Sequence, residues 1–338
     1  MLKLKDRINL LLRLGEYISN DHPDWNAARQ QAYLNNSWFD EQHIQRACNN
    51  IVQGFLQEDK LQNWMNGYPF LKNTDDKQMK PLIGIVMAGN IPFVGFHDFL
   101  CVWLAGFPMK IKLSSKDTVL WRFILAKLQE WAAETSDHVE IAELLKGCDA
   151  YIATGSNNSA RYFDYYFQKY PHIIRKNRTS AAILDGNETK ETLEKLADDI
   201  GSFYGLGCRN VTQLFVPENY DFNLLLQVLK GFESYLLHHK YKNNYDYQLA
   251  LLLLNKQPYL SNDVFLLCEQ SQPFAAISML HYQFYKDKGK QLQTLRSDDR
   301  YQCIVGCGPD LIAPGSSQQP ELKDYADGID TMAFLSQL

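Results

Sequence analysis

The spacing of apolar residues changes character near residue 81. Before it, Ile8, Leu11, Leu12 and Ile18 fall near one helical stripe, with polar residues filling the rest, so helix is predicted. His22-Pro23 breaks the pattern, and a second helical region is predicted from about Glu41 to Met65. Residues 66–80 read as a polar linker. From Pro81 short apolar runs alternate with longer amphipathic ones. Leu82 to Met87 predicts a buried strand that ends in Ala88-Gly89-Asn90. Ile91-Pro92 then opens a helix to about Ala105, since proline suits a first helical turn. Strands are predicted at Met109–Leu113, Ala150–Ala153 and Ala181–Leu184, and helices at Asp117 to about Ala133 and Ser159–Tyr170.

A second unit is expected after residue 186. Thr189–Ile200 reads as an amphipathic helix, and a glycine-rich turn leads to Gly207-Cys208. A strand follows at Val211–Val216, then helices at about 221–239 and 245–255, and strand-like runs at 274–279 and 301–305. The tail from Pro314 reads as a turn, a short helix and a final apolar strand at Thr331–Leu335.

Strands alternating with helices at this spacing predict an α/β fold with a mostly parallel, helix-covered sheet. Ligands of such sheets bind beyond the carboxyl ends of the strands. Asn90, Ser114-Ser115 and Thr154-Gly155-Ser156 all fall at predicted strand ends.

Composition narrows the function classes. A chain of 338 residues favours two domains, and 46% hydrophobic residues with 13% aromatics suit a packed globule. A net charge of -5 without a long basic block argues against nucleic acid. Seven scattered cysteines and no secretory apolar core at the N-terminus lead to an expectation of reduced thiols in the cytoplasm. The most apolar stretch, Ile91–Met109, carries His97 and Asp98 near its middle, so no membrane span is expected.

The familiar nucleotide and hydrolase signatures are absent: there is no Gly-x-Gly-x-x-Gly, no phosphate loop and no Gly-x-Ser-x-Gly. Cys208, beside Arg209, can be a reactive thiolate or a small buried hydrophobe. Asn90 can be an oxyanion donor or a helix N-cap, and locally the cap is favoured. Cys303-x-x-x-Cys307 is half a metal site without a second pair nearby, so no metal is expected. His238 and His239, adjacent on a helix, point to different faces. Arg175-Lys176-Asn177-Arg178 is a phosphate contact or a solvated loop.

The ordered series changes these odds. It runs Ala88-Gly89-Asn90-Ile91-Pro92, Lys112-Leu113-Ser114-Ser115, Thr154-Gly155-Ser156, Arg178 to Leu184, Gly207-Cys208, Pro314-Gly315-Ser316-Ser317 and Asp324 to Thr331. Over roughly residues 81–335 it resembles the aldehyde dehydrogenase superfamily, and within it the acyl-CoA reductases related to the fatty-acid reductase of bacterial bioluminescence. The resemblance implies a helical N-terminal region with the nicotinamide-cofactor domain over 1–178, a catalytic domain over 179–318, and a tail over 319–338 able to pair subunits in a homo-oligomer. It makes Cys208 the catalytic thiol and Asn90 the side-chain oxyanion donor. Lys112 would hold the adenosine ribose, with Ser114 and Ser115 beside it. Thr154, Gly155 and Ser156 would receive the pyrophosphate, and Glu269 the nicotinamide ribose.

Two departures sharpen the implied activity. Aldehyde-oxidising relatives carry a Glu that activates water just before the strand that here is Ala181–Leu184, whereas Arg175 to Ser180 holds no carboxylate. The site then suits an acyl thioester removed by hydride. Ser115 stands where NAD-preferring relatives have a Glu, which favours NADPH, with NAD also usable. The expected reaction is reduction of an acyl-CoA, or another acyl thioester, to an aldehyde through a thioester on Cys208. The alternatives are a cysteine acyltransferase or thioesterase without nicotinamide, with His172 or His281 as base, and a catalytically silent binding relative.

Overall fold

The computed structural model describes residues 2–74 and 80–338. The chain divides into two compact units: Met1–Asn177 with Pro320–Leu338, and Arg178–Gln319.

The first unit opens with α1 (Leu4–Ser19), α2 (Pro23–Asn35), α3 (Glu41–Phe55) and α4 (Glu58–Met65). Two of these starts have a local cause. Pro23 begins α2, its missing N–H costing nothing there, and Asp40 caps α3 by accepting from the N–H of His43 at 2.8 Å. The expected linker is a 3-10 turn over Pro69–Asn73, and its residues 75–79 lie outside the described residues. Then follow β1 (Ile83–Val86), α5 (Phe96–Ala105), β2 (Met109–Lys112), α6 (Thr118–Trp131), β3 (Val139–Ile141), β4 (Ala150–Thr154), α7 (Asn157–Phe167) and β5 (His172–Arg175). The sheet runs β3-β2-β1-β4-β5 with every pairing parallel. The chain winds from β1 to β3 on one side and returns to build β4 and β5 on the other. The strand order therefore reverses between β1 and β4, the switch point at which such sheets bind ligands.

The second unit holds β6 (Thr179–Ile183), α8 (Lys190–Gly201), β7 (Val211–Pro217), α9 (Asn223–Leu229), α10 (His239–Leu254), β8 (Leu260–Ser261), β9 (Leu266–Glu269), β10 (Met279–Tyr285), α11 (Lys288–Ser297) and β11 (Tyr301–Gly306). Its order is β11-β6-β7-β10-β9-β8, parallel except for β8 against β9. The fold class is the α/β architecture expected.

Four local expectations are corrected. The helix expected from Ile91 starts at Phe96, because Phe93 adopts a left-handed φ of 57° and residues up to Gly95 form turns. The helix expected over 221–239 breaks into α9 and a 3-10 segment, Lys230–Leu237. The strand expected at 274–279 is loop; β10 begins at Met279, and the unbroken buried run before Glu269 supplies β9 instead. Finally, Thr331–Leu335 is not a strand but a helix, α12. Asp330 caps it by accepting from the N–H of Ala333 at 2.8 Å, and Met332 and Leu335, three apart, are buried in the first unit's core. A five-residue apolar run does not tell strand from helix by itself. The edge-strand route to subunit pairing expected of this tail is therefore absent from it. No described helix is long and apolar enough to cross a membrane.

Candidate functional site

In the first unit the candidate residues gather at the carboxyl ends of β2, β1 and β4, which are adjacent and level: Val86 of β1 pairs with Lys112 on one side and Ala153 on the other. Lys112 ends β2 with an exposed side chain. Ser114 accepts from the N–H of Lys116 at 3.3 Å through Oγ, and its carbonyl accepts from the hydroxyl of Thr118 at 3.0 Å. Ser115 is exposed; the carboxamides of Asn35 and Asn36 at the end of α2 donate to the carbonyls of Ser115 and Lys116 at 3.3 and 3.2 Å. Asn90 is half-buried in the turn after β1.

Two glycines make the crevice narrow. A side-chain carbon on Gly89 would stand 2.6 Å from Ser114 Oγ, so the β1 and β2 turns touch only because Gly89 has none. One on Gly155 would stand 2.9 Å from Phe163 and Ser159. Ser156 caps α7, accepting from the N–H of Ser159 at 3.2 Å. The α7 N-terminus thus lies directly beyond β4, where its amides and dipole favour an anion. Close-packed glycine turns, a helix N-terminus at the switch point, and an exposed ammonium beside a hydroxyl fit a dinucleotide.

The second unit builds the turn of Cys208. Phe203, Tyr204 and Gly205 carry φ values of 53°, 56° and 75°, and both aromatic residues are buried. Three successive left-handed residues, two of them aromatic, cost free energy that the surroundings must offset. Asn210 does this work with one side chain. Its Oδ1 accepts from the N–H of Gly207 at 2.7 Å, and its Nδ2 donates to the carbonyls of Asp199, Ile200 and Ser202 at 3.1, 3.2 and 2.8 Å. Ser180 of β6 donates to the carbonyl of Cys208 at 3.2 Å. Cys208 is half-exposed at the amino end of β7, whereas Cys48, Cys101, Cys148, Cys268 and Cys303 are buried.

Asp199, fully buried at the end of α8, ties a second motif to this turn. It accepts from the N–H groups of Gly315 and Ser317 at 2.6 and 3.0 Å and from the Ser317 hydroxyl at 2.7 Å. Burial nevertheless leaves its carboxyl above the usual range. Arg209 donates through Nη1 to Cys303 Sγ at 3.2 Å and to the carbonyl of Ser317 at 3.4 Å.

Glu269 is exposed at the end of β9. The loop that follows it is pinned to β7 beyond Cys208: Gln213 donates to the carbonyl of Gln270 at 3.0 Å, and Thr212 to that of Pro273 at 2.6 Å. His281 is buried and directs Nδ1 to the carbonyl of Gln272 at 2.7 Å; burial holds its pKa below the ordinary value. His172, by contrast, belongs to the first unit, exposed on β5. His238 caps α10, accepting from the N–H of Tyr241 at 3.3 Å.

The Arg175–Arg178 run is neither a solvated loop throughout nor a phosphate contact at Arg175. That side chain is 2% exposed and donates to Asp98 through Nη2 at 2.8 Å and Nε at 3.3 Å, to the Thr331 hydroxyl at 2.8 Å and to the carbonyl of Ala326. It anchors the Asp324-to-Thr331 motif to α5. Asp117, Asp199 and Asn210 were not anticipated from sequence. Each is a short polar residue at or near the end of a helix or strand, a signal shared with ordinary caps.

No protein-family model matches the sequence, and no curated protein matches it. Solved structures do. The Mycobacterium tuberculosis aldehyde dehydrogenase complexed with NAD+ aligns with a TM-score of 0.64 at 12% identity, covering 94% of this chain and 76% of that one. An NADP-dependent enzyme of E. coli gives 0.65 at 13% identity, over 92% and 74%. The NAD+ complex of a Bacillus cereus aldehyde dehydrogenase gives 0.62 at 12% identity, over 90% and 72%. The fold of this chain is that of the aldehyde dehydrogenases.

Proposed function

We propose that the protein is an NAD(P)H-dependent oxidoreductase of aldehydes and acyl thioesters, and specifically an acyl-CoA reductase with Cys208 as its nucleophile. The observation that carries this reading is the turn of Cys208: a half-exposed thiol three residues beyond the left-handed Phe203–Gly205 segment, in a turn braced by Asn210 and Ser180. Strain held by surrounding polar groups is characteristic of functional segments.

The Cys208 thiolate attacks the acyl carbonyl, Asn90 donates to the oxyanion, and the C–S bond to CoA breaks with release of CoA thiolate. Each such donor contributes about 2.7–4 kcal/mol. Lys112, Ser114, Ser115, Thr154 to Ser156 and Glu269 would hold a nicotinamide cofactor, which would supply the hydride when bound. The thiohemiacetal on Cys208 then collapses to the aldehyde and returns the thiolate. Arg175 spends its charge on Asp98, and residues 176–180 hold no carboxylate, so no base there activates water against the acyl thioester. The hydroxyl of Ser115 supports NADPH, since a carboxylate there would repel a 2′-phosphate.

The test is NADPH oxidation with a panel of acyl-CoAs, followed by mass spectrometry of the protein without cofactor. Wild type should turn over and carry an acyl adduct on Cys208. Cys208→Ala should lose both, and undiminished turnover in that variant refutes the proposal.

A further inference from the structure

Asp117 is a buried acid that this cycle does not use. It is the N-cap residue of α6, yet its side chain makes no cap hydrogen bond there. It is 2% exposed and reaches instead to the β1 turn, where Oδ2 accepts from the N–H of Phe93 at 2.7 Å. Phe93 is the left-handed residue that delays α5, and its ring is buried against Trp25 and Trp121. Three residues before it stands Asn90. The Asp117 backbone closes the β2 turn, its N–H donating to the carbonyl of Ser114 at 3.0 Å, and its Cβ would lie 3.3 Å from a side-chain carbon on Gly89. A single residue therefore holds both turns that flank the switch point.

Its second oxygen sharpens the case. Asp117 Oδ1 interacts with the indole of Trp121 one helical turn on, and neither that oxygen nor the buried Trp121 Nε1 meets a partner at full hydrogen-bond geometry among the described residues. Burial outweighs the help of the Phe93 N–H and the Trp121 indole and pushes this carboxyl well above the usual range. Helix capping alone does not account for an acid kept there, since the cap bond is not made.

We infer that Asp117 is a positioning residue for the proposed reaction, fixing the Gly89-Asn90 turn through Phe93 so that the Asn90 carboxamide meets the oxyanion. This rests on the acyl-CoA reductase reading. It acts through Asn90 and touches neither substrate nor cofactor.

The test compares Asp117→Ala and Asp117→Asn with wild type in three measurements: the rate of Cys208 acylation by acyl-CoA, NADPH affinity by fluorescence, and amide hydrogen exchange over residues 88–95. Asp117→Ala should slow acylation on the order of 10²-fold, the usual cost of misplacing a reacting group by an ångström. NADPH affinity should stay within about threefold. Exchange should rise in 88–95, and Asp117→Asn, which keeps a carbonyl acceptor for Phe93, should restore acylation and protection. Acylation within threefold of wild type in Asp117→Ala overturns the inference. So does a loss of NADPH affinity in proportion to acylation, which marks a merely structural role. If wild type accepts no acyl-CoA, the reductase reading fails by itself. The exchange measurement then decides the Phe93 latch: unchanged protection in Asp117→Ala overturns it, and increased protection loss sustains it.

Discussion

Replacing Arg175 by Met should destabilise the first unit severely. The wild-type guanidinium makes two bonds to the Asp98 carboxylate and two more to α12 and the turn before it, all shielded from water. Methionine fills much of the volume but leaves Asp98 buried, with only the Thr331 hydroxyl still donating among the described residues, at 3.2 Å. Removing one partner of a buried pair costs about 3–5 kcal/mol. For a unit of this size, at about 2–4 °C per kcal/mol, the midpoint should fall by roughly 6–20 °C. Differential scanning calorimetry and urea unfolding measure it. The double variant Asp98→Leu/Arg175→Met should recover most of the loss, because an apolar pair carries no charge to desolvate. Burial alone would raise the Asp98 carboxyl, but Arg175 overrides it and holds it below its ordinary value. The pair's contribution is thus complete above the unfolded carboxylate pKa of about 3.9 and is lost as pH falls through the lower folded value. The gap between wild type and Arg175→Met should accordingly close in acid. A loss under about 1 kcal/mol, or a double variant as damaged as the single one, refutes the reasoning.

Three further outcomes are expected. Gly89→Ala forces a carbon against Ser114 and should cost about 1–3 kcal/mol, with Ser114→Gly in the same chain relieving most of it in urea unfolding. Burial and the Arg7 charge hold the His138 pKa down at about 4, with Nε2 accepting from the N–H of Leu2 at 3.0 Å. The unfolded chain therefore binds its proton first. Stability should fall as pH drops from about 6.5 to about 4, by about 2 kcal/mol after allowance for solvent screening, and His138→Gln should flatten that slope. Ser115→Glu should raise the KM for NADPH about tenfold with a smaller effect on NADH, and equal effects on the two would remove Ser115 from cofactor choice.

The alternation of short apolar runs with amphipathic segments determined the α/β class, because continuous apolar runs and period-3.6 stripes are both written locally in which positions are apolar. The strand ends were legible for the same reason: Asn90, Ser114, Ser115 and Thr154 to Ser156 follow runs whose boundaries turn residues mark. The shortest apolar run near the chain's end was not legible in this way. Thr331–Leu335 is a helix because Asp330 caps it and the first unit's core receives Met332 and Leu335, facts of packing that no five-residue window contains. Nor does sequence order disclose that Arg175 and Asp98, far apart along the chain, would neutralise each other, or that a cap-position acid would turn from its own helix to hold Phe93. Side-chain direction is chosen by the partners that burial brings together, and only the folded chain supplies those.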